Sequence, residues 1–348
     1  MPEVWYAITA FMLTAYVVLD GFDLGAGALH LLVARTDKER RQVLAAIGPF
    51  WDGNEVWLLA AGGALFVSFP RVLSSGISGF YFAIFLVLWC LIFRGVAIEF
   101  RSHVRDPLWR TSWDFFFWLA SALLPVFFGA ALGNLLRGVP LNADGWFALA
   151  LFTDFSARDP VGILDWYTVL VGVFALAALA GHGALFLTWK TDGPVQERSR
   201  AAGGRLYVAV SLLWPVVTLA THRVHEGFLS SLAARPLAWP LALGALAGLA
   251  AVFTGLARRR ELLAFTGSCA FLAGLSLATA ACVFPTMLSA TGGEALSLTA
   301  YSGGGDPRGL RTALGWFAIG FPLAILYVVV VFRMHRGKAV AAKDGEGY

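Results

Sequence analysis

The sequence has little charge. Charged residues make up 14% of its 348 residues, whereas soluble domains carry about 25%. Apolar and aromatic residues account for 58%, and the mean hydropathy is +0.72. A chain with so few polar side chains cannot cover a water-facing exterior, which excludes an ordinary soluble enzyme. The composition is typical of a protein that crosses a membrane several times.

Cysteine is also scarce. Cys90, Cys269 and Cys282 lie inside apolar stretches and have no paired spacing, which excludes a disulfide scaffold. The sequence has no phosphate-binding Walker loop, no glycine-rich dinucleotide motif and no Cys-x-x-Cys pair. Most of its 26 basic residues, which outnumber the 22 acidic ones, are scattered through short connections. We therefore predict no nucleic-acid partner and no metal site.

Long apolar runs dominate what is present. A helix needs about 20 apolar residues to cross roughly 30 Å of hydrocarbon. We predict an all-α fold, since unpaired strands would leave backbone groups unsatisfied in lipid. One membrane domain fills residues 1–348. Its nine predicted spans are 4–32, 47–70, 79–100, 113–136, 163–189, 206–222, 237–256, 262–285 and 311–332.

The basic residues predict the orientation of these spans. Connections after odd-numbered spans, together with the tail, hold 18 of the 26 basic residues, and the opposite side holds seven. The remaining one, Arg94, lies inside the third span. Cytoplasmic loops carry the excess of Lys and Arg. The N-terminus is therefore expected outside and the C-terminus in the cytoplasm.

Four carboxylates lie within the first two predicted spans. Asp20 and Asp23 are three residues apart on the first, and Asp52 and Glu55 are three apart on the second. Counted from the span ends, both pairs fall in the cytoplasmic half of the membrane, and the short connection makes the two helices neighbours. Ionisable groups in lipid are costly and often functional. We predict a proton path from the cytoplasm, with Arg94 as the charge partner.

Another interpretation of these carboxylates stays open. Each could cap a helix or pair with a buried base without conducting protons. Asp52 is the least certain of the four, because Gly48 and Pro49 resemble a helix start that would hold its carboxylate ionised. Glu99 and Arg101 are expected to reach from the membrane boundary into water.

The six histidines do not predict a haem site. Only His182 and, marginally, His30 lie at membrane depth, and a bis-histidine haem needs two facing ligands. His182 is expected to be a hydrogen-bonded core residue. Small residues on the first span, such as Gly21 and Gly25, and the pair Gly62 and Gly63 on the second, predict close helix packing.

Several segments that carry these charges resemble one family. They are 20–25 (DGFDLG), 48–58 (GPFWDGNEVWL), 61–66 (AGGALF), 93–101 (FRGVAIEFR) and 133–140 (GNLLRGVP). In this order they resemble subunit II of the cytochrome bd-type quinol oxidases, including the cyanide-insensitive relatives. A weaker match continues to Phe284 and Pro285, so the resemblance covers essentially the whole chain.

The resemblance implies a fold and an activity. It implies nine helices in two four-helix bundles plus one peripheral helix. It also implies a complex that oxidises ubiquinol or menaquinol and reduces dioxygen to water, taking protons from the cytoplasm without pumping. The positions of Asp23 and Asp52 are implicated in the family's proton path. Some members have Gln in place of Glu55, so an essential role does not carry over to that residue.

The resemblance also implies partners and a location. Subunit I would carry two b-type haems, one d-type haem and the quinol-oxidising loop, so no catalytic residue or haem is expected on this chain. A small accessory membrane subunit and a bound quinone or lipid are compatible with the resemblance. The expected location is the plasma membrane of a bacterium or archaeon.

Two other functions are open on the sequence alone. Buried carboxylates on interrupted helices also suit a proton-coupled secondary transporter, which would have two related halves and a midplane substrate site. The sequence has no such internal symmetry, and its charges lie toward one side. The third hypothesis is a purely structural subunit, whose buried charges only pair with those of its partner.

Overall fold

A computed structural model describes residues 1–340 of the chain, and that part is mainly helical. The helices are α1 (Pro2–Val33), α2 (Asp37–Ile47), α3 (Trp51–Ser68), α4 (Pro70–Gly79), α5 (Tyr81–Phe100), α6 (Pro107–Arg137), α7 (Trp166–Lys190), α8 (Gly193–Val224), α9 (Phe228–Ala234), α10 (Ala238–Ala257), α11 (Glu261–Val283) and α12 (Pro307–Met334). Two short antiparallel strands, β1 (Thr286–Leu288) and β2 (Leu298–Thr299), lie between α11 and α12.

Eight of these helices are long and apolar enough to cross a membrane. The broken pair α3 and α4, which bends by 120°, raises the number to nine if the pair forms one span. The bend lies at Phe69, before Pro70, as expected because a residue that precedes proline is disfavoured in the helical conformation. Residues 71–78, predicted as the connection between the second and third spans, lie instead in the separate helix α4.

Some helices extend beyond the predicted spans. Helix α8 begins at Gly193, thirteen residues before the predicted span, and α6 begins at Pro107, six residues before it. Both extensions are polar, so hydropathy does not mark them as membrane segments. Their backbones stay helical because each helix has proline in its first turn, and the Asp106 carboxylate caps α6 by accepting from the Trp109 N–H.

Helix α1 lies at the centre of the fold and packs against α3, α6, α7 and α11. Glycine permits its close approach to α7. A Cβ atom on Gly25 would collide with the backbone of Leu179 and Gly183. By contrast, a Cβ on Gly62 or Gly63 would meet nothing within 4 Å. The predicted close packing therefore occurs on α1 and not, within the described residues, at Gly62 and Gly63.

Contacts between connections sort the helix ends into two groups. One group of contacts, here called the basic end, joins to one another the segments that follow α1, α5, α7, α10 and α12. Its contacts are Arg101 to Asp37 (2.9 Å), Arg198 to Glu39 (2.5 Å), Arg200 to Glu261 (2.5 Å) and Lys190 to the His335 carbonyl (2.5 Å).

The other group of contacts, here called the opposite end, contains the N-terminus and the β1–β2 hairpin. Its contacts include Tyr301 to Glu3 (3.0 Å), the Gly305 N–H to the Ser68 carbonyl (2.9 Å), His225 to the Leu136 carbonyl (2.9 Å) and Arg235 to the Ala281 carbonyl (2.6 Å). At this end Arg137 also forms a buried ion pair with Asp165, the N-cap of α7, which ties α6 to α7.

Helix α12 is peripheral. None of its most apolar 18-residue window is buried, and its main partner is α3. Phe317 and Phe321 pack edge-on against Trp5, Trp57 and Phe11 near the opposite end. Trp316, Leu323 and Leu326 project away from the chain. This helix thus leaves a broad apolar face without a partner within the described residues.

Candidate functional site

A fully buried guanidinium lies between α1, α3 and α5. Arg94 on α5 has no exposed surface. Its Nη1 donates to the Asp20 carboxylate on α1 at 2.8 Å, and its Nη2 donates to Glu55 on α3 at 3.2 Å. Removing a charge from water costs several kcal/mol unless it is paired. The Arg94 charge is therefore stabilised by carboxylates from two different helices.

A third carboxylate lies beside this pair. Asp23 is one turn from Asp20 on α1 and is buried. The Asn54 amide of α3 donates to Asp23 at 2.7 Å and to the Leu19 carbonyl at 3.1 Å. Asn54 thereby fixes the register between α1 and α3. We call Asp20, Asp23, Asn54, Glu55 and Arg94 the Arg94 cluster.

The Arg94 cluster holds three carboxylates and one guanidinium. It therefore contains two more potential negative charges than positive ones in a largely buried region. The second oxygen of Asp23, Oδ1, is buried and has no hydrogen-bond partner among the described residues. Buried polar atoms are usually hydrogen-bonded. Buried titratable groups in such surroundings occur often at functional sites.

The Asp52 side chain does not join this cluster. Asn54 faces α1, and residues two apart on a helix differ by about 200° in direction, so Asp52 faces the other way. Asp52 is exposed and lines a groove of about 410 Å³ between α1, α3 and α12. Of the four carboxylates singled out in the sequence, Asp52 is therefore the one that lies outside the Arg94 cluster. The groove walls are mostly apolar and include Met12, Trp57, Phe321 and Tyr327.

A second buried charge network lies at the basic end, and the sequence analysis did not find it. Asp114 near the start of α6 accepts from Arg101 at 2.6 and 3.0 Å and from Arg40 at 2.8 Å. His30 Nε2 lies 2.7 Å from the same carboxylate. Arg101 also contacts Asp37 at 2.9 Å. We call His30, Arg40, Arg101 and Asp114 the Asp114 network.

Two signals in the sequence point to the Asp114 network. Asp114 is the second residue of the predicted span 113–136, so a search for charges in spans could have included it. His30 follows Asp23 by seven residues, which places both on one face of α1. Arg101 was expected to reach into water, but it is only 2% exposed because Asp114 and Asp37 bind its guanidinium.

Both histidines at membrane depth are hydrogen-bonded within the chain. Both ring nitrogens of His182 are occupied, Nδ1 by Ser268 at 2.6 Å and Nε2 by the Val18 carbonyl at 2.9 Å. His30 Nε2 lies 2.7 Å from the Asp114 carboxylate. No group of three or more histidine, cysteine, aspartate or glutamate side chains within residues 1–340 has metal-binding geometry.

Part of this chain is similar in sequence to two cytochrome bd oxidase subunits. It is 39% identical over 198 residues to cytochrome bd-I ubiquinol oxidase subunit 2 of Escherichia coli K12, covering 57% of this chain and 51% of the relative. It is 34% identical over 214 residues to cytochrome bd ubiquinol oxidase subunit 2 of Bacillus subtilis, covering 60% and 61%. The chain thus spans between about half and three fifths of the length of these relatives.

The fold also matches a solved structure. A chain in the bd oxidase structure from Geobacillus thermodenitrificans superimposes with a TM-score of 0.76, covering 96% of this chain and 98% of that one. The identity is 18%, so this comparison bears on the fold alone. The family described as cytochrome bd terminal oxidase subunit II matches residues 1–335. The chain is therefore a member of the cytochrome bd terminal oxidase subunit II family.

Proposed function

We propose that this chain is the non-haem subunit II of a terminal oxidase that couples quinol oxidation to the reduction of dioxygen to water. In this role it scaffolds the haem-bearing subunit I and supplies a path for protons from the cytoplasm. Family membership supports the assignment to the oxidase. The single observation that carries the proton path is the Arg94 cluster, in which carboxylates from two helices surround one buried guanidinium.

The proposal includes a membrane topology. The chain crosses nine times, at about the predicted spans, with α3 and α4 together making the second crossing. The first eight crossings form two four-helix bundles, and α12 is the peripheral helix. Contacts at the two ends support this arrangement, because each basic-end contact joins segments that nine crossings would bring to the same side. The basic end would face the cytoplasm of a bacterial cell.

The proton path uses the side chains of this chain only. Asp23 takes up a proton on its unpartnered oxygen, and Asn54 keeps the other oxygen in place. Asp20 lies one turn away and shares Arg94 with Glu55, whose side chain is 22% exposed. A proton that reaches Glu55 has therefore arrived at the edge of the chain. Asp52, on the exposed face of α3, is proposed to receive or supply protons at the surface toward subunit I.

The Arg94 cluster argues against the transporter alternative. A secondary transporter needs a substrate site near the membrane midplane between two repeats. The cluster is closed by ion pairs. The 410 Å³ groove that the structure describes lies beside the peripheral α12. Neither feature provides a closed substrate site between symmetric halves.

The test of this function is oxygen consumption by the assembled oxidase complex carrying Asp23→Asn. Asparagine keeps the size of the side chain but cannot carry a proton as a carboxyl group does. Quinol-dependent oxygen consumption is expected to fall by roughly tenfold or more, since a positioned proton-transfer group contributes at least that much. Asp144→Asn, on an exposed connection at the opposite end, is the matched control.

Haem content, measured from the visible spectrum, separates a lost proton path from failed assembly. The proposal expects wild-type haem content in both variants and slow turnover only in Asp23→Asn. Wild-type turnover of Asp23→Asn would contradict the proton path. Haem bands that do not co-purify with this chain and its partners would contradict the assignment to the oxidase.

A further inference from the structure

Helix α1 carries a column of buried polar side chains. Thr9, Tyr16, Asp23 and His30 follow one another at intervals of seven residues, and all four are buried. Residues seven apart lie on nearly the same face of a helix. From Thr9 to His30 the column is about 31 Å long, which equals the thickness of the hydrocarbon layer. The Arg94 cluster uses only the middle of this column.

The part of the column between Asp23 and the basic end contains three buried polar atoms without a hydrogen-bond partner among the described residues. They are Asp23 Oδ1, His30 Nδ1 and Ser121 Oγ, the last from α6. A buried polar atom without a hydrogen-bond partner destabilises the fold. Two of the three atoms lie on one face of α1, and the third, on α6, lies against that face. Thr9 Oγ1 and Tyr16 Oη, farther along the same face, are also without a hydrogen-bond partner among the described residues.

Ser121 lies between Asp23 and His30. A Cβ on Gly27 would collide with the Ser121 side chain, so the glycine permits the hydroxyl to approach α1. Gly27 is four residues from Asp23 and three from His30, which corresponds to axial offsets of about 6 and 4.5 Å. None of the three polar atoms is within hydrogen-bond distance of another, so a proton that moves along this line needs bridging water between them.

His30 connects this line to the basic end. Its Nε2 faces Asp114 at 2.7 Å, and its Nδ1 is the unpartnered atom. The charged groups that reach the network around His30 are Asp114 from α6, Arg101 directly after α5 and Arg40 from α2. The Phe117 ring packs edge-on against the imidazole. The Arg40 side chain is 25% exposed and links the network to the surface.

We propose that His30, with Asp114, forms the cytoplasmic mouth of the proton path and that Ser121 carries the proton from His30 to Asp23. A proton that arrives at Nε2 from the Asp114 side converts the imidazole to imidazolium. The imidazolium then releases the proton on Nδ1 through the Ser121 hydroxyl to Asp23 Oδ1, so one proton enters the ring and one leaves it. This inference rests on the proposed proton-uptake function and adds the route by which protons reach Asp23.

The test compares variants of the assembled complex by oxygen consumption in H2O and in D2O. Ser121→Ala removes only a hydroxyl and is expected to preserve the fold. We expect its turnover to fall by several-fold, less than the hundredfold or more that loss of a proton-transfer group costs elsewhere. The H2O/D2O rate ratio should rise, because proton transfer becomes the slow step. Ser199→Ala, which removes another buried hydroxyl without a partner from α8, is the matched control and should match wild type.

His30→Gln is expected to show a larger loss of turnover and a larger rise in the ratio. His182→Gln is its control. The results for Ser121→Ala decide the inference even if His30→Gln fails to assemble. Wild-type turnover and an unchanged ratio in Ser121→Ala would overturn the route through His30. If Asp23→Asn is slow in the same experiment, the proposed proton uptake stands without this route; if it is not, the proposed function itself fails.

Discussion

At the scale of single residues, Arg94 determines how the carboxylates of this chain are arranged. The guanidinium lies on α5, but its two partners lie on α1 and α3. A buried ion pair contributes little net stability compared with apolar packing, although leaving one partner unpaired is costly. Arg94 therefore holds the cluster in one geometry rather than adding much to the free energy of unfolding.

Arg94→Met tests this role. The substitution leaves Asp20 buried without its charge partner, so we expect a loss of about 3–5 kcal/mol in the free energy of unfolding. The second substitution Asp20→Asn, made in the same chain, should recover part of that loss because it removes the unpaired charge. The measurement is thermal unfolding of the purified complex. Equal stability of wild type and Arg94→Met would show that the ion pair does not organise the site.

The sequence allowed the charged residues of the Arg94 cluster to be predicted, with Arg94 as the charge partner, but not which of the carboxylates Arg94 binds. Hydropathy marks Asp20, Asp23, Glu55 and Arg94 because each interrupts an apolar run. The rotation of α3 about its axis, which turns Asn54 toward α1 and Asp52 away from it, depends on packing between helices that are distant in sequence. For the same reason, Asp114 and His30 could not be paired from sequence spacing.

At the scale of helices, close packing depends on what lies opposite each glycine. Gly25 and Gly62 both occur in small-residue patterns, yet only Gly25 faces a backbone, that of α7. The pattern predicts where helices could approach, and only the structure shows where they do. The helix bounds show the same limit, since α8 begins in a polar segment thirteen residues before its apolar run.

Gly25→Ala and Gly62→Ala form a matched pair. The added methyl group at position 25 should force α1 and α7 apart and destabilise the protein by about 1–3 kcal/mol or more. The methyl group at position 62 meets no atom of this chain within 4 Å. We expect Gly62→Ala to be neutral or slightly stabilising, because alanine favours the helix. Comparable melting temperatures for both variants would contradict the packing described for α1.

The short helix α2 begins with a capping box formed by Thr36 and Glu39. Burial raises the pKa of the Glu39 carboxyl, but hydrogen bonds from the Arg35 and Thr36 N–H groups and from Arg198 outweigh it. The pKa therefore lies below its ordinary value of 4.5. A lowered pKa means that the ionised carboxylate stabilises the fold above pH 4.5, and this contribution is lost as the pH falls through the lowered value.

We therefore expect Glu39→Gln to melt at a lower temperature than wild type at pH 7. The difference should shrink as the pH falls below the ordinary value of 4.5. Melting temperatures across a pH series measure this effect, with Glu294→Gln at an exposed site as the control. A difference that is constant with pH would mean that the Glu39 charge does not stabilise α2.

At the scale of the whole molecule, the broken pair α3 and α4 decides the topology. If α3 crosses the membrane, residues 104 and 144 lie on opposite sides, with 104 in the cytoplasm. If the pair re-enters the side from which it came, every later connection changes sides. The contact between Arg101 and Asp37 favours the crossing, because it joins the segments before α3 and after α5.

Cysteine labelling in intact cells distinguishes these topologies. Val104→Cys and Asp144→Cys each place a thiol at an exposed position. A maleimide that does not cross membranes should label Asp144→Cys in intact cells and Val104→Cys only after the cells are opened. Reversed labelling would indicate that α3 and α4 form a re-entrant pair and that every connection after α4 lies on the other side of the membrane.

The central claim is that protons for oxygen reduction pass through the carboxylates of this chain. Proton uptake by the purified complex during a single round of oxygen reduction, followed with a pH-indicator dye, tests it most directly. The account predicts slow uptake in Asp23→Asn and uptake at the wild-type rate in Asp144→Asn. Uptake by Asp23→Asn at the wild-type rate, in a complex with full haem content, would contradict it.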